Sequence, residues 1–388
     1  MATIRKREDR AKPWQVRYRD PDGVQRSQSF TRKAQADAYL VTMESDKLRG
    51  TYLDPQAGKV TLRTFGDQWL AAQTFDVATR AAVTSRLKCH VYPTLGKMEL
   101  RAIKPSTVQA WMRGMSANSA PRTVRVVLAN LSAIMGAAVE DGVIVSNPCA
   151  ARSVRAPALD GRRVVPWTRE QVDAVTKAHR GRYGAVPVVG AGLGLRQGEV
   201  FGLRVEDIDF LRRRVLVRQQ LKLVKGRPIF AAPKGRRERE VPLSDVVAVA
   251  LAEQLRAWPA LEVTLPWGDL DGETRTASLV FSTREHGPVI RNHYNPWTWK
   301  PALVAAGIEP TRANGMHALR HFYASALLDG GTSINAVADY LGHADPGFTL
   351  RVYTHLMPAA EDRARSAIDA ALGPRVAQEW PKGAQDGS

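Results

Sequence analysis

The apolar pattern of this chain passes from strand-like alternation to helical spacing and then to a mixture of the two, so one layered domain cannot accommodate it. Near the amino terminus Trp14, Val16 and Tyr18 fall on one face of a strand, with Arg17 and Arg19 on the other. Pro21-Asp22-Gly23 supplies a turn, and residues 24–30 return as a second strand, giving a small hairpin. Thr31 is placed to cap a helix over 34–48, which meets no breaker before Gly50. From residue 62 the spacing is helical, with Leu62, Phe65 and Trp69 on one face. A second amphipathic stretch covers 79–87, before a turn at Pro93-Thr94-Leu95-Gly96, and 106–112 gives a third. Pro121 opens a fourth helix whose stripe is Val124, Val127, Leu128, Leu131, Met135 and Ala138, and Asp141-Gly142 ends it. These four predict a helical bundle.

Residues 151–165 mix Arg, Ala, Pro157 and Gly161 without a period and read as a linker. Thr168 with Gln171 then forms a capping box, so a further domain begins near Pro166. Within it three strand-like pieces, 214–220, 228–232 and 239–243, interrupt helical sequence. The expected fold class is multidomain, mixed α and β. Its parts are a β-sheet-plus-helix N-terminal domain (1–56), an all-α bundle (60–150), the linker (151–165), a mainly α domain with a three-stranded antiparallel sheet (166–372) and a polar tail (373–388).

Charge narrows the partner. Lys and Arg number 56 against 38 Asp and Glu, a formal net charge of +18, which points to a polyanion. A membrane surface is the competing partner, but the charge runs along the whole chain instead of gathering on one amphipathic helix. Double-stranded DNA is therefore expected, and no membrane. Candidate contacts are Arg17, Arg19 and Arg26 in the first unit, Lys88, Lys97, Arg122 and Arg125 in the bundle, and Arg236 further on. The competing reading of each is an ordinary solvated basic face. Two cysteines, Cys89 and Cys149, provide neither a disulfide framework nor a CxxC pair, which excludes zinc fingers and fits a reducing cytoplasm. Residues 2–10 lack the apolar core of a signal peptide, and the longest nearly apolar run, 185–195, is too short to span a bilayer. A cytoplasmic protein is expected.

The chemistry gathers in the second half. In Leu193-Gly194-Leu195-Arg196-Gln197-Gly198-Glu199 an arginine sits at a Gly-flanked bend, where a phosphate would match its planar fork of donors and Glu199 could orient it. A structural Arg–Glu pair is the competing reading. Lys234 lies in a turn, Pro233-Lys234-Gly235-Arg236-Arg237, at the tip of the expected hairpin between the last two strand pieces, where an ammonium can protonate a leaving oxygen. His317 and Arg320 are three apart on one face at a helix start, a place that favours an anion. His317 and His321 have the spacing of a zinc pair, but Ala318 stands where H-E-x-x-H requires Glu and no third ligand is evident. Ser333 caps a helix through Leu341 that Gly342 ends, leaving His343 just past it; Tyr353 follows ten positions on, as core aromatic or as something more. The acidic group Glu206, Asp207 and Asp209 reads as a helix-to-strand turn in preference to a two-metal site.

Together these phrases resemble the tyrosine recombinases, or phage-type integrases. The matching residues are Gly-Leu-Arg-x-Gly-Glu at 194–199, Lys234, His-x-x-Arg-His at 317–321, Leu-Gly-His at 341–343 and Tyr-Thr-His at 353–355. Leu193 stands where the family often has Thr. The resemblance implies a nucleophile at Tyr353 that forms a 3′-phosphotyrosyl link, with Arg196 and Arg320 stabilising the phosphorane. It implies Lys234 as the donor to the departing 5′-oxygen, His317 and His343 as proton and phosphate partners, and Glu199 in support. It further implies no metal and no cofactor, a homotetramer on attachment-site DNA, core-binding and arm-binding roles for the first two domains, and DNA-bending and excision factors as accessory partners. A type IB topoisomerase-like enzyme and a non-catalytic DNA-binding regulator are the alternatives.

Overall fold

Alternation around Val16 and Tyr18 builds strands, and the helical spacing after residue 62 builds helices. The computed structural model describes residues 3–8, 10–20, 23–48, 57–159, 165–343, 345–353, 365 and 368–372. Pro21, Asp22, the linker's end with Gly161, Thr354, His355, most of 358–372 and the tail 373–388 lie outside the described residues. The chain divides into two compact units, Met1–Gly161 and Arg162–Ser388.

The first unit opens with three antiparallel strands, β1 (Thr3–Lys6), β2 (Trp14–Arg19) and β3 (Gln25–Phe30), in that order, with α1 (Lys33–Leu48) against them. The expected hairpin, β2 and β3, is thus two strands of a three-stranded sheet, one strand more than expected. β1 is four residues long with polar ends, too short to show a period. Val16, Tyr18, Ala36 and Met43 form its core. Arg26 corrects the basic face read from sequence. It is cross-strand partner to Tyr18, so it shares the helix-covered side and pairs with Asp20 at 3.1 Å, while Arg17 and Arg19 occupy the open side.

The bundle follows: α2 (Leu62–Ala72), α3 (Val77–Arg86), α4 (Tyr92–Leu95), α5 (Pro105–Ser116) and α6 (Pro121–Glu140). Thr61 caps α2, and Asp76 caps α3 by accepting from the amides of Ala78 and Thr79. The expected turn at Pro93–Gly96 is a correction: α3 runs through a π-helical turn, Leu87–Val91, into α4, and the chain stays helical to Leu95. Widening the helix by one residue lets Pro93 enter a new first turn, where its missing N–H costs nothing. α6 is long and apolar enough, by length and composition alone, to cross a membrane. Its buried face, Val124, Val127, Leu131, Ile134, Met135 and Ala138, is instead part of the bundle's core. The linker's first residues are held to this bundle, since Val154 and Ala156 pack on it and the Arg155 amide donates to Gln109 at 2.9 Å.

In the second unit the capping box of Thr168 and Gln171 opens α7 (Arg169–Ala178) as expected. α8 (Val186–Leu193) is apolar all round and lies against α7, α10 (Asp245–Ala257) and α13 (His317–Asp329). A Cβ on Gly190 would come within 2.7 Å of Leu319, and one on Gly192 within 2.2 Å of Val247, so glycine sets the closeness of that packing. α9 (Gln197–Phe201) follows the bend at Gly194. The strands are β4 (Ile208–Asp209), β5 (Arg214–Val217), β6 (Gln220–Val224), β7 (Arg227–Ala231), β8 (Arg239–Pro242), β9 (Leu261–Pro266) and β10 (Thr274–Leu279). A three-stranded antiparallel sheet is present, in the order β4-β5-β8, beside two-stranded pairs β6-β7 and β9-β10. The expected hairpin around Lys234 is a second correction, because β7 pairs with β6 and β8 with β5. Lys225 and Gly226, both at positive φ (48° and 81°), close β6 onto β7, and residues 232–238 become a crossing loop between sheets. The remaining helices are α11 (Arg291–Tyr294), α12 (Lys300–Ala305), α14 (Ile334–Leu341) and α15 (Pro346–Tyr353).

Candidate active site

Four backbone punctuation points aim side chains at one pocket. Gly194, at φ 60°, ends α8 in the left-handed conformation and turns the chain so that Arg196 becomes the N-cap of α9. Gly342, at φ 64°, ends α14 the same way and delivers His343. The start of α13 presents His317 and Arg320, and the 232–238 loop brings in Lys234. Arg196, Lys234, His317, Arg320 and His343 line a pocket of about 550 Å³, with Gly235, Gly342, Asp345, Phe348 and Arg351.

Arg320 is 1% exposed, a position an arginine holds only if its donors are met. It donates to the carbonyls of Gly194 (2.8 Å) and Leu341 and to His343 Nε2 (2.9 Å). Burial, then the charge of Arg196, pulls Arg320 down to about 9, which leaves it protonated at neutral pH. Because His343 accepts at Nε2, its proton is assigned to Nδ1, which donates to Thr349 Oγ1 at 2.7 Å. Arg196 Nη1 and its own amide each donate to Glu199 at 2.9 Å. Glu199 also receives a two-pronged contact from Arg239, at 3.2 and 2.6 Å. Burial alone would push the Glu199 carboxyl up; Arg239, then Arg196, hold it below the usual carboxylate range.

Burial first, then nearby cations, pushes the imidazoles of His317, His321 and His343 down to about 4. His317 as a residue is exposed at the pocket mouth, so water moderates its drop. Tyr353 ends α15 and is 2% exposed. It is not among the pocket-lining residues; its hydroxyl lies 2.7 Å from His321 Nδ1. Burial pushes that phenol up to about 12, Arg320 opposing, so it is protonated at neutral pH. The structure therefore brings five of the six proposed catalytic residues to one pocket and holds the sixth against His321.

Sequence reasoning passes over Arg239, and it sees His321 as a doubtful zinc ligand and as the last residue of the His-x-x-Arg-His phrase without giving it a role. His321 in fact packs its ring edge-on to His317 (4.7 Å) and bonds Tyr353. Among the described residues no group of three or more His, Cys, Asp or Glu could hold a metal ion. Asp207 is locked by Arg204 (2.6 and 2.7 Å), and Val205–Asp207 is a 3-10 turn leading into β4, as the helix-to-strand reading expected. Lys88, Lys97, Arg122, Arg125 and Arg236 are exposed.

A family model described as the Phage integrase family matches residues 170–359, and one described as the Phage integrase central domain matches 62–154. A tyrosine recombinase XerC-like protein of Caldanaerobacter subterraneus is 27% identical over 288 residues, covering 70% of this chain and 72% of that one. Among solved structures, the Tn1549 transposon integrase in complex with transposon right end DNA matches with TM-score 0.68 at 20% identity, covering 80% of this chain and 99% of that one. A lambda integrase tetramer bound to a Holliday junction matches with TM-score 0.58 at 16% identity, covering 88% and 96%. Fold, pocket and matches define a DNA strand transferase. The chain belongs to the phage integrase family of tyrosine recombinases and is a site-specific DNA recombinase.

Proposed function

We propose that the pocket between Arg196 and Arg320 takes the scissile phosphate and that Tyr353 is the nucleophile. The carrying observation is the convergence of two guanidiniums, an ammonium and two imidazoles on one pocket of about 550 Å³. Tyr353 Oη gives up its proton to a pocket imidazole, His317 or His343, and bonds to phosphorus as the bond to the 5′-oxygen breaks, giving a 3′-phosphotyrosyl link; Lys234 protonates the departing oxygen. Arg196 and Arg320 meet the charge that grows on the non-bridging oxygens, and His317 and His343 hold and move protons there. Rejoining runs the same steps in reverse, so the covalent link conserves the bond energy and the reaction takes neither ATP nor metal. Before attack Tyr353 must exchange His321 for the phosphate, which makes the described arrangement a resting one.

Around this chemistry, the N-terminal sheet serves as an arm-type DNA-binding domain through Arg17 and Arg19. The bundle, with Lys88, Lys97, Arg122 and Arg125, serves as the core-binding domain. Four copies on paired attachment sites integrate, and with accessory bending and excision factors remove, a mobile element on the bacterial nucleoid. The tetramer of the similar lambda integrase on a Holliday junction supports this assembly. Neither the topoisomerase nor the regulator alternative is favoured by the family matches. A suicide substrate nicked beside the cleavage site tests the reading. A covalent protein–DNA adduct is expected, indifferent to EDTA and lost in Tyr353→Phe; adduct persisting in that variant would reject the assignment.

A further inference from the structure

Three arginines from three elements converge on the last three carbonyls at the end of α14. Arg239 Nε donates to Tyr340 O at 2.7 Å, Arg320 Nη2 to Leu341 O, and Arg196 Nη2 to Gly342 O at 3.4 Å. The end of a helix leaves carbonyls without intrahelical partners and carries partial negative charge, so cations are drawn there. One carboxylate, Glu199, with its side chain fully buried, is shared between Arg196 and Arg239. Arg320 and Arg196 line the pocket; Arg239 does not, and it lies behind them with its side chain 4% exposed. Arg239 is also the first residue of β8, where the loop carrying Lys234 ends. A single guanidinium thus ties that loop to Glu199, and through Glu199 to Arg196, and to the α14 end from which His343 follows.

We propose that Arg239 is a positioning residue for strand transfer: it acts through Glu199 and Tyr340 O to hold Arg196 and the His343 turn in phosphate-binding geometry without touching DNA. This rests on the pocket being the phosphate site. Only an arginine fork can span both Glu199 oxygens and a carbonyl at once; lysine keeps the charge and loses the geometry.

The test uses the full chain and the nicked suicide substrate at saturating DNA. Arg239→Lys is expected to form adduct about 10- to 100-fold more slowly, in the range that small misplacements of reacting groups cost. Its DNA affinity should stay within about twofold, because Arg239 lies off the binding surface. In a Glu199→Gln background the same substitution should add little further slowing, since the two residues act as one unit. Arg237→Gln, which removes an exposed partner of Asp339 from the same loop, should leave the saturated rate unchanged. Equal slowing by Arg239→Lys in both backgrounds, a rate within twofold of the parent, or a defect confined to DNA affinity would overturn the proposal. So would loss of folding in Arg239→Lys, read by thermal melting, which would make Arg239 a stability residue. Absence of any adduct from the parent protein would instead reject the phosphate-site reading itself, so the two failures are distinguishable.

Discussion

Arg320 holds its place because three acceptors, Gly194 O, Leu341 O and His343 Nε2, take its N–H groups where water cannot. Lysine has a point charge in place of the fork and leaves at least one of these acceptors unmet. Arg320→Lys is therefore expected to slow adduct formation by about two to three orders of magnitude, the usual loss for one preorganised donor to a developing anion; single-turnover cleavage at saturating DNA measures it. The imidazoles give a second expectation. Burial holds His321 and His343 down to about 4 in the fold, against about 6.5 when exposed, and lowers His317 as well, though water moderates it there. Between those values the unfolded chain binds more protons than the folded one, so stability falls as pH falls. Urea midpoints should drop steadily from pH 7 to pH 5, and His343→Asn should flatten the slope; a flat profile in the parent would contradict the depressed values. At this scale spacing in the sequence picks out the six candidate residues, five of which line one pocket, but not the groups that support them. Arg239 carries no motif signal, because its role depends on β8 bringing it to Glu199, forty positions away (239 − 199).

Helix ends were the most legible elements, since a capping residue acts locally: Thr168 with Gln171, Ser333 and Gly342 stand where the caps fall. Apolar stripes in α2 and α6 were equally plain, because burial repeats at helical spacing. Elements decided by pairing were not. Lys225-Gly226 is an unusual pair for a tight hairpin turn, so the sequence reading stops its strand at 220, misses β6 as the partner of β7 and gives Lys234 a hairpin it does not have. Gly194 allows an element-scale test. It combines φ 60° with a site where an added Cβ would lie 2.3 Å from the Tyr323 ring, whereas Gly235, at φ 84°, has nothing within 4 Å. Backbone strain alone costs about 1 kcal/mol at either position. Gly194→Ala should exceed that by at least about 1 kcal/mol as the ring is displaced, and should slow cleavage because Gly194 O anchors Arg320. Gly235→Ala should cost only the strain. Denaturant unfolding of the two variants, side by side, decides it.

Across the molecule a formal charge of +18 favours a polyanion through counterion release, and on the proposed reading this affinity is separable from the chemistry of the pocket. Charge was legible from composition, but which cations are engaged within the protein was not: Arg26 is turned to Asp20, and Arg125, though exposed, donates through Nη1 to Pro157 O at 3.1 Å. Lys88 and Arg122 are exposed on the bundle. A cation that neutralises one phosphate releases bound counterions and steepens the fall of log K with log salt by about 0.9. Lys88→Gln and Arg122→Gln should each make that slope shallower by about one, with similar losses on specific and unrelated duplexes. Cleavage at saturating DNA should be unchanged in both. Tyr353→Phe should show the opposite pattern, with the slope retained and the adduct gone. Fluorescence anisotropy from about 50 to 200 mM salt reads all three proteins, over a range in which six to ten phosphate contacts change affinity by about 10³ to 10⁵. Slopes unaltered in both glutamine variants would mean that this face of the bundle is merely solvated, and that the phosphate contacts lie on other basic residues.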